Sequence, residues 1–191
     1  MRLEDKALAQ LFSTARTHRV WSPRDVPDSL LREVVDLAKM GPTANNGLPM
    51  RVTFVKSQAA KERLMPHLSE GNREKTMKAP ACAIVGYDIR FFEHPPKGQD
   101  ALAGFADKPD RAQTYCLRNS SLQGAYFMMA ARALGLDCGP MSGFDNAGVD
   151  KEFFAGTDIK SNFLCNIGYG DPAALRPRGP RFGFDEMARI L

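Results

Sequence analysis

The first fifty residues contain no strand pattern, and this feature constrains the fold more than any other. Apolar residues recur at three- and four-residue intervals over residues 3–16, which predicts an amphipathic helix. A second helix is predicted from Asp28, a candidate N-cap, to a stop at Gly41 and Pro42. Because a βαβ nucleotide fold opens with a strand, this order argues against it and favours α+β, a central sheet flanked by helices.

The rest of the chain alternates between strand and helix patterns. Strands are predicted at 51–56, 81–87 and 162–167, and helices at 57–64, 111–134 and 151–155, with a short C-terminal element at 184–191. Prolines and glycines between residues 91 and 109 predict a long surface loop or lid. Gly124 lies inside the longest helix, where glycine costs about 1 kcal/mol relative to alanine, so another backbone is expected to approach it closely.

Length and composition limit the class of protein. A chain of 191 residues with 43% hydrophobic content is expected to form one domain, residues 1–191. The net charge of +4 is spread along the sequence without a basic arm, so anionic small molecules are expected as ligands and nucleic acid is not. The charged N-terminus and the absence of about 18 consecutive apolar residues predict a soluble protein that is neither exported nor inserted in a membrane.

The four cysteines lie far apart in apolar surroundings. They form no CxxC pair, and the three histidines do not cluster, so no zinc site and no disulfide framework are predicted. Four reduced thiols are typical of the cytoplasm, which is the expected location. The segment around Cys165 reads as a core strand, so this thiol is expected to be buried and inert.

The stretch Gly139–Asp145 is the leading candidate for a ligand contact. It follows the long helix and places Pro140, Met141 and Ser142 between two glycines, so that backbone N–H groups can approach a flat ligand without obstruction by side chains. A plain turn between a helix and a strand is the alternative.

Two groups of cationic residues are candidates for binding a phosphate. Arg16, Thr17, His18 and Arg19 are expected to close the first helix with two guanidiniums and a hydroxyl, or simply to complement the helix dipole. Arg176, Arg178 and Arg181 either close over the same phosphate or form a solubilising tail.

Two polar segments are candidates for contacting a heterocycle. Residues 41–47 supply hydroxyl and amide groups in Thr43, Asn45 and Asn46, or they only stop a helix. If their segment is helical, Asn72 and Lys75 lie on one side of it, where they can meet the pyrimidine end of a flavin. The alternative is a solvated helix face.

Several familiar catalytic motifs are absent from the sequence. Gly168-Tyr169-Gly170 lacks the third glycine and the helix of a dinucleotide-binding fingerprint. The histidines have no metal-type spacing, and there is no GxSxG elbow. No catalytic residue and no metal ligand is therefore assigned.

Taken in order, these segments resemble the nitroreductase family of FMN-dependent oxidoreductases, and most closely its RutE-type malonic semialdehyde reductases of pyrimidine degradation. The resemblance is carried by the segments 15–18, 41–43, 71–72 with 75–76, 79–80, 118–121, 133–137, 139–145 and 166–171. Three residues depart from the pattern: Leu48 and Met50 replace a common glutamine and tryptophan, and Arg19 replaces the asparagine of the semialdehyde branch.

The resemblance implies a set of cofactor contacts. In the family pattern, Arg16, Thr17, Arg19 and Arg181 hold the FMN phosphate and ribityl chain, and Asn72 and Lys75 face the pyrimidine. Ser142 and Gly143, after Pro140 and Met141, present backbone N–H groups near flavin N5 and O4. Pro42, Thr43 and Asn46 come from the other subunit of an intertwined homodimer, whose protomers have a central mixed or antiparallel sheet and share the cofactor at their interface.

The resemblance also implies an activity. NAD(P)H and a small-molecule acceptor are expected to use the FMN in alternation, and the acceptor expected from the branch is malonic semialdehyde, reduced to 3-hydroxypropionate. A general nitroreductase or quinone reductase, and a flavin-binding protein without turnover, remain as alternatives.

Overall fold

A four-stranded antiparallel sheet forms the centre of the protein, whose computed structural model describes residues 1–96 and 100–191. The strands are β1 (Met50–Val55), β2 (Ala81–Asp88), β3 (Asp137–Met141) and β4 (Ile159–Gly168). They lie in the order β1-β2-β4-β3, and every neighbouring pair is antiparallel. The α+β class is therefore confirmed, in its antiparallel form.

Helices pack on both faces of the sheet, and a short helix lies near each end of the chain. The helices are α1 (Asp5–Leu8), α2 (Asp28–Ala38), α3 (Gln58–Leu64), α4 (Glu70–Lys78), α5 (Pro109–Ala133), α6 (Asn146–Phe153) and α7 (Phe184–Met187). Alternate residues of β2 point to opposite faces: Ala83 and Val85 pack in one core with α2 and α5, and Ile84 packs in a second core with α3 and α6. Within the described ranges, no helix is both long and apolar enough to cross a membrane.

The first helix is much shorter than its apolar pattern predicts. The α-helix ends at Leu8, and a π-helical turn follows over Ala9–Ser13. Thr14 closes this turn because its N–H and its hydroxyl both donate to the Ala9 carbonyl, at 2.8 and 2.7 Å. Arg16 to Arg19 therefore do not close a helix, as expected from the sequence, but follow it in an extended segment.

Strand β3 is the element that the sequence patterns miss. The sequence patterns indicate a ligand contact or a turn at Gly139, Pro140 and Met141 and no strand, but these residues pair with Asn166, Cys165 and Leu164 of β4. Strand β3 lies at the edge of the sheet and has a neighbouring strand, β4, on one side only. Proline is tolerated in an edge strand because its missing N–H costs no hydrogen bond on the side without a neighbouring strand. Only the residues from Ser142 to Asp145 form the connection between β3 and the following helix, α6.

The surface segment predicted over residues 91–109 contains short helical turns and buried anchors that its sequence pattern does not indicate. Two 3₁₀ segments, Phe91–Glu93 and Asp100–Phe105, carry Phe91, Leu102 and Phe105 into a third hydrophobic core under α5. Phe91 stacks on Tyr115 with ring centroids 4.5 Å apart. Burial of these aromatic rings outweighs the turn signal of the prolines and glycines. Residues 97–99, which belong to the same prediction, lie outside the described residues.

Two smaller differences from the sequence-based expectations concern the start of α6 and the neighbour of Gly124 in α5. Helix α6 begins at Asn146, five residues before the predicted start, and its apolar anchor is the buried Val149. Gly124 does meet a close neighbour, but that neighbour is the Phe163 ring and not a backbone: a Cβ atom added at Gly124 would lie 2.6 Å from it.

The bulge in β4, where Asn162 is the extra residue opposite Val85 and Gly86, generates a testable prediction. The β2–β4 register shifts between Val85 and Gly86, and a Cβ atom at Gly86 would lie 2.6 Å from the backbone carbonyl oxygen of Lys160. We expect Gly86→Ala to lower the free energy of unfolding by about 1 to 3 kcal/mol, because a rigid strand must shift. The measurement is urea unfolding. Gly71→Ala is the matched control, since no atom lies within 4 Å of its added Cβ, and equal unfolding midpoints for the two variants would contradict the prediction.

Candidate functional site

An extended segment places three of the predicted site residues beside the sheet edge. Thr17 forms a parallel bridge with Cys138 of β3, and the His18 N–H donates to the Cys138 carbonyl at 3.0 Å. Because side chains alternate along an extended chain, His18 is buried while Thr17 and Arg19 are exposed. Burial of the His18 ring beside Asp137, 3.4 Å away, therefore fixes the direction of its two neighbours.

The C-terminal tail meets this segment and completes a crevice of about 470 Å³. Six arginines line it: Arg16, Arg19, Arg132, Arg176, Arg178 and Arg181. Thr17 also lines it, together with small apolar residues and Phe12. The structure thus brings Arg181 together with Arg16, Thr17 and Arg19, from which it is far apart in the sequence. We call this the arginine crevice.

The charge of the arginine crevice is not compensated by the protein. No aspartate or glutamate is among the described residues that line it. None of the six guanidiniums forms an ion pair with a carboxylate anywhere in the described part of the chain. Guanidiniums bind phosphate and carboxylate groups with two parallel hydrogen bonds, so this surface is suited to an anion.

Arginine side chains also hold the tail in place. The Arg178 guanidinium donates to the Ser13 carbonyl at 2.8 Å and to the Ala15 carbonyl at 2.9 Å. The Arg16 guanidinium donates to the Arg176 carbonyl. The two Arg178 bonds satisfy carbonyl groups left open where the first helical segment ends. Arg178 is therefore mainly a link between the two chain ends, whereas Arg19 and Arg181 make no bond to the opposite segment.

Arg132 is a crevice residue that the sequence patterns did not identify. It lies in the last turn of α5, where a cation is ordinarily explained by the helix dipole. One of its terminal nitrogens donates to the Leu11 carbonyl at 3.3 Å, while its Nε is buried without a partner. A buried donor without an acceptor is unfavourable, and a bound anion would relieve it.

Helix α4 and the connection after β3 form a second group of predicted residues. The Asn72 amide donates to the Gly143 carbonyl at 2.7 Å, and the Ser69 N–H donates to the same oxygen at 3.0 Å. Since the segment is helical, Asn72 and Lys75 do share one side of it. Beneath them, the buried Thr76 hydroxyl contacts Met141 and accepts a hydrogen bond from Asn166 at 3.2 Å.

Lys75 connects this second group to the arginine crevice. Partial burial lowers the pKa of its ammonium, and the neighbouring positive charge of Arg19 lowers that pKa further. Two neighbouring cations are thus present, and neither forms an ion pair with a carboxylate of the described residues. An anion near Arg19 would therefore also favour the charged form of Lys75.

The structure does not bring the third group of predicted residues to the crevice. Pro42, Thr43 and Asn46 belong to a short loop that lies along α5, against Tyr115 and Asn119. None of the three lines the arginine crevice of its own chain. Pro42 and Asn46 are exposed, and Thr43 is half-buried.

A larger cleft of about 730 Å³ lies between α6 and the start of β4. Its polar groups already pair with one another. The Gln113 amide donates to the Tyr87 hydroxyl at 2.6 Å, the Asn146 amide donates to the Ser161 hydroxyl at 3.0 Å, and Asp150 accepts from the Ser161 N–H at 2.7 Å. Since these groups satisfy each other, the arginine crevice is the better candidate for a ligand site.

The four cysteines are buried and unpaired. Burial raises the pKa of the Cys82 and Cys116 thiols to about 12, so both are protonated at neutral pH. A hydrogen bond with Cys138 and burial raise the pKa of Cys165 as well. In the described ranges, no three His, Cys, Asp or Glu side chains converge as metal ligands do.

Comparisons of sequence identify related proteins. The profile of a family described as the nitroreductase family matches residues 13–170. A protein of Burkholderia lata, provisionally named NADH dehydrogenase/NAD(P)H nitroreductase, is 59% identical over 191 residues and is aligned over 98% of each chain.

Comparisons of structure show the same fold. A Bacillus subtilis protein provisionally named nitroreductase superposes with a TM-score of 0.84 at 21% identity, covering 98% of this chain and 100% of that chain. An Exiguobacterium sibiricum protein, also provisionally named nitroreductase and solved in complex with FMN, superposes with a TM-score of 0.85 at 17% identity, covering 100% of this chain and 99% of that chain. The nitroreductase-like fold expected from the sequence is thus confirmed.

The uncompensated charge of the arginine crevice generates a prediction for the protein without ligand. We expect inorganic phosphate at about 100 times its dissociation constant to raise the thermal midpoint by roughly 5 to 10 °C, whereas chloride at matched ionic strength does not. The measurement is calorimetry of wild type, Arg19→Gln and Arg63→Gln. Arg63 is the control because it is already paired with Glu152 at 2.6 Å, outside the crevice. A phosphate effect of the same size in Arg19→Gln and Arg63→Gln would contradict the prediction.

Proposed function

This chain belongs to the nitroreductase family, and on that premise we propose that it is an FMN-dependent NAD(P)H oxidoreductase. When bound, FMN would supply two-electron chemistry between a reduced nicotinamide and an acceptor. The observation that carries the proposal is the arginine crevice, in which six guanidiniums and no carboxylate surround a space of about 470 Å³.

The residues of the crevice fit the phosphate end of FMN. A phosphate monoester carries nearly two negative charges at neutral pH, and guanidiniums are its preferred partners. We assign Arg16, Thr17, Arg19 and Arg181 to this end, and we add Arg132 because its buried Nε has no partner. The cofactor recorded in the Exiguobacterium sibiricum protein is consistent with this assignment.

The second group of predicted residues, on α4 and in the connection after β3, is assigned to the ring end of the cofactor. Lys75 offers an ammonium and Asn72 an amide at a polar edge, and Asn72 bonds to the carbonyl of Gly143, the last residue of the assigned segment Pro140, Met141, Ser142 and Gly143. A cation beside the pyrimidine stabilises negative charge that develops there, and N–H groups preorganised near the ring add to this effect. The Asn72 bond to the Gly143 carbonyl fixes this backbone relative to α4.

We propose that the functional unit is an intertwined homodimer with FMN at the interface. Large apolar side chains are exposed along α5 and in the tail: Leu117, Leu122, Tyr126, Phe182, Phe184, Met187 and Ile190. Exposed apolar surface of this kind is characteristic of protein interfaces. Pro42, Thr43 and Asn46, which do not reach the crevice of their own chain, would then contact the cofactor of the partner.

The specific acceptor that we propose is malonic semialdehyde, reduced to 3-hydroxypropionate in the cytoplasm as a step of pyrimidine degradation. Support comes from the resemblance of the segments named above and from the local excess of arginine, which favours an anionic acceptor. A general NAD(P)H nitroreductase or quinone reductase is the second candidate, and the provisional name of the Burkholderia lata relative favours it.

Arg181 provides the most direct test of the cofactor site. Its guanidinium is exposed and bonds only to the Gly179 and Pro180 carbonyls of its own turn, each at 3.0 Å. We expect Arg181→Ala to weaken FMN binding about 10- to 100-fold with an unchanged unfolding midpoint, since a bond to a charged group contributes about 1.5 to 3 kcal/mol. The measurement is quenching of FMN fluorescence. Arg189→Ala, in the same tail but outside the crevice, is the control, and equal FMN affinities of the two variants would rule out the role of Arg181.

The acceptor is tested by steady-state oxidation of NADH and NADPH with three acceptors: malonic semialdehyde, a nitroaromatic compound and a quinone. We expect turnover above that of free FMN, with the highest kcat/KM for malonic semialdehyde. Turnover restricted to the nitro compound and the quinone would refute the specific acceptor while keeping the enzyme class. A protein that binds FMN but shows no turnover with any acceptor would instead be a flavin carrier.

A further inference from the structure

The loop between α2 and β1 has an unusual backbone. Asn45, Asn46 and Leu48 have φ angles of 48°, 49° and 44°. In the described ranges they are the only residues other than glycine with positive φ. Asparagine tolerates this region, but a leucine there is a genuine outlier. Three such residues within four positions persist only if the surroundings determine the conformation.

Three buried polar side chains of α5 hold the loop in this conformation. Tyr115, Asn119 and Gln123 are four residues apart, so they form one row along the helix. The Tyr115 hydroxyl donates to the Ala44 carbonyl, and the Ala44 N–H donates to the Asn119 amide oxygen at 2.8 Å. The Met50 N–H, at the start of β1, donates to the Gln123 amide oxygen at 3.0 Å. We call these three side chains the α5 ladder.

The loop is closely fitted to the helix along its whole length. A Cβ atom at Gly47 would lie 3.0 Å from the Cζ atom of Tyr115, and one at Gly41 would lie 2.6 Å from the Tyr126 ring. Within the loop, the Leu48 N–H donates to the Thr43 hydroxyl at 3.2 Å. The backbone therefore has no room to relax toward α5 without losing these contacts.

The direction of the loop side chains suggests why this conformation is maintained. The ladder residues are only 2 to 9% exposed, whereas Pro42, Asn45 and Asn46 point to the surface. A connection between a helix and a strand does not by itself require three left-handed residues, because ordinary turn conformations achieve the same reversal. The strain fixes the positions of the outward polar groups.

We propose that the α5 ladder is a positioning device, in which Tyr115 and Asn119 hold the loop of residues 42–48 preformed to receive the FMN bound in the partner's arginine crevice. The inference rests on the proposed function, since it requires FMN between two copies of this chain. Tyr115 and Asn119 do not touch the cofactor themselves. They lower the entropic cost of FMN binding because the loop is already ordered in the protein without FMN.

Removal of single ladder bonds tests the proposal. Tyr115→Phe keeps the ring that stacks on Phe91 and removes only the hydroxyl, and Asn119→Ala removes the acceptor of the Ala44 N–H. We expect each variant to raise the dissociation constant for FMN about tenfold, the effect of one lost hydrogen bond. In the protein without FMN, hydrogen exchange should become faster at the amides of residues 44–48.

Ser120→Ala is the matched control. Ser120 is equally buried in α5, but its hydroxyl accepts from Asn162 at 2.9 Å and does not contact the loop. A purely structural role of the ladder predicts that all three variants lose thermal stability and keep the wild-type affinity for FMN at 25 °C. That result would overturn the proposal, whereas weaker FMN binding in only the two ladder variants would support it.

Hybrid dimers test whether the loop acts on the partner's site. One chain carries Arg181→Ala and the other carries Tyr115→Phe with Asn119→Ala, and two affinity tags isolate the mixed species. If the loop acts across the interface, both defects fall in one site, and the other site binds one FMN per dimer with wild-type affinity. If the loop acts within its own chain, each site carries one defect and neither binds with wild-type affinity, which would overturn the proposal.

The homodimers of each variant distinguish this failure from failure of the proposed function. Unchanged FMN affinity in Arg181→Ala would refute the proposed cofactor site. Weaker FMN binding in Arg181→Ala together with wild-type FMN binding in the ladder variants would refute only the positioning role of Tyr115 and Asn119.

Discussion

Uncompensated positive charge in one crevice is the constraint on which this account depends. Six guanidiniums converge from the extended segment after the first helix, the last turn of α5 and the tail, and no carboxylate of the described residues lines the space between them. Like charges held this closely repel one another, so the fold must maintain the arrangement. It does so with backbone pairing of the 17–18 segment to β3 and with Arg178 bonds to the Ser13 and Ala15 carbonyls.

Helix α5 connects this crevice to the rest of the molecule. Its last turn supplies Arg132, its buried face packs on α2 and the sheet, and its first and middle turns carry the α5 ladder that holds the loop of residues 42–48. The close fit of Gly124 against the Phe163 ring sets the distance of the helix from β4. A single long helix thus positions both the anion-binding residues and the strained loop, although these lie at different places on the surface.

The sequence predicts much of this architecture, and its failures have physical causes. The apolar periodicity of α2 and α5 and the buried runs of β2 and β4 are correctly interpreted, because burial dominates there. Strand β3 is missed because Gly139 and Pro140 carry strong turn signals, which pairing with β4 overrides. The first helix is predicted too long because its apolar pattern continues past Thr14, whose hydroxyl ends the helix.

The candidate site is predictable only in part. Arg16, Arg19 and Arg181 are identifiable as cations of interest, but their convergence depends on tertiary contacts between residues about 160 positions apart in the chain, such as that between Arg16 and the Arg176 carbonyl.

The central claim is tested most directly by a crystal structure of the protein with FMN. The account predicts the FMN phosphate bonded to Arg16, Arg19 and Arg181, with the ring beside Lys75. A cofactor located in the cleft between α6 and β4, with an empty arginine crevice, would contradict it.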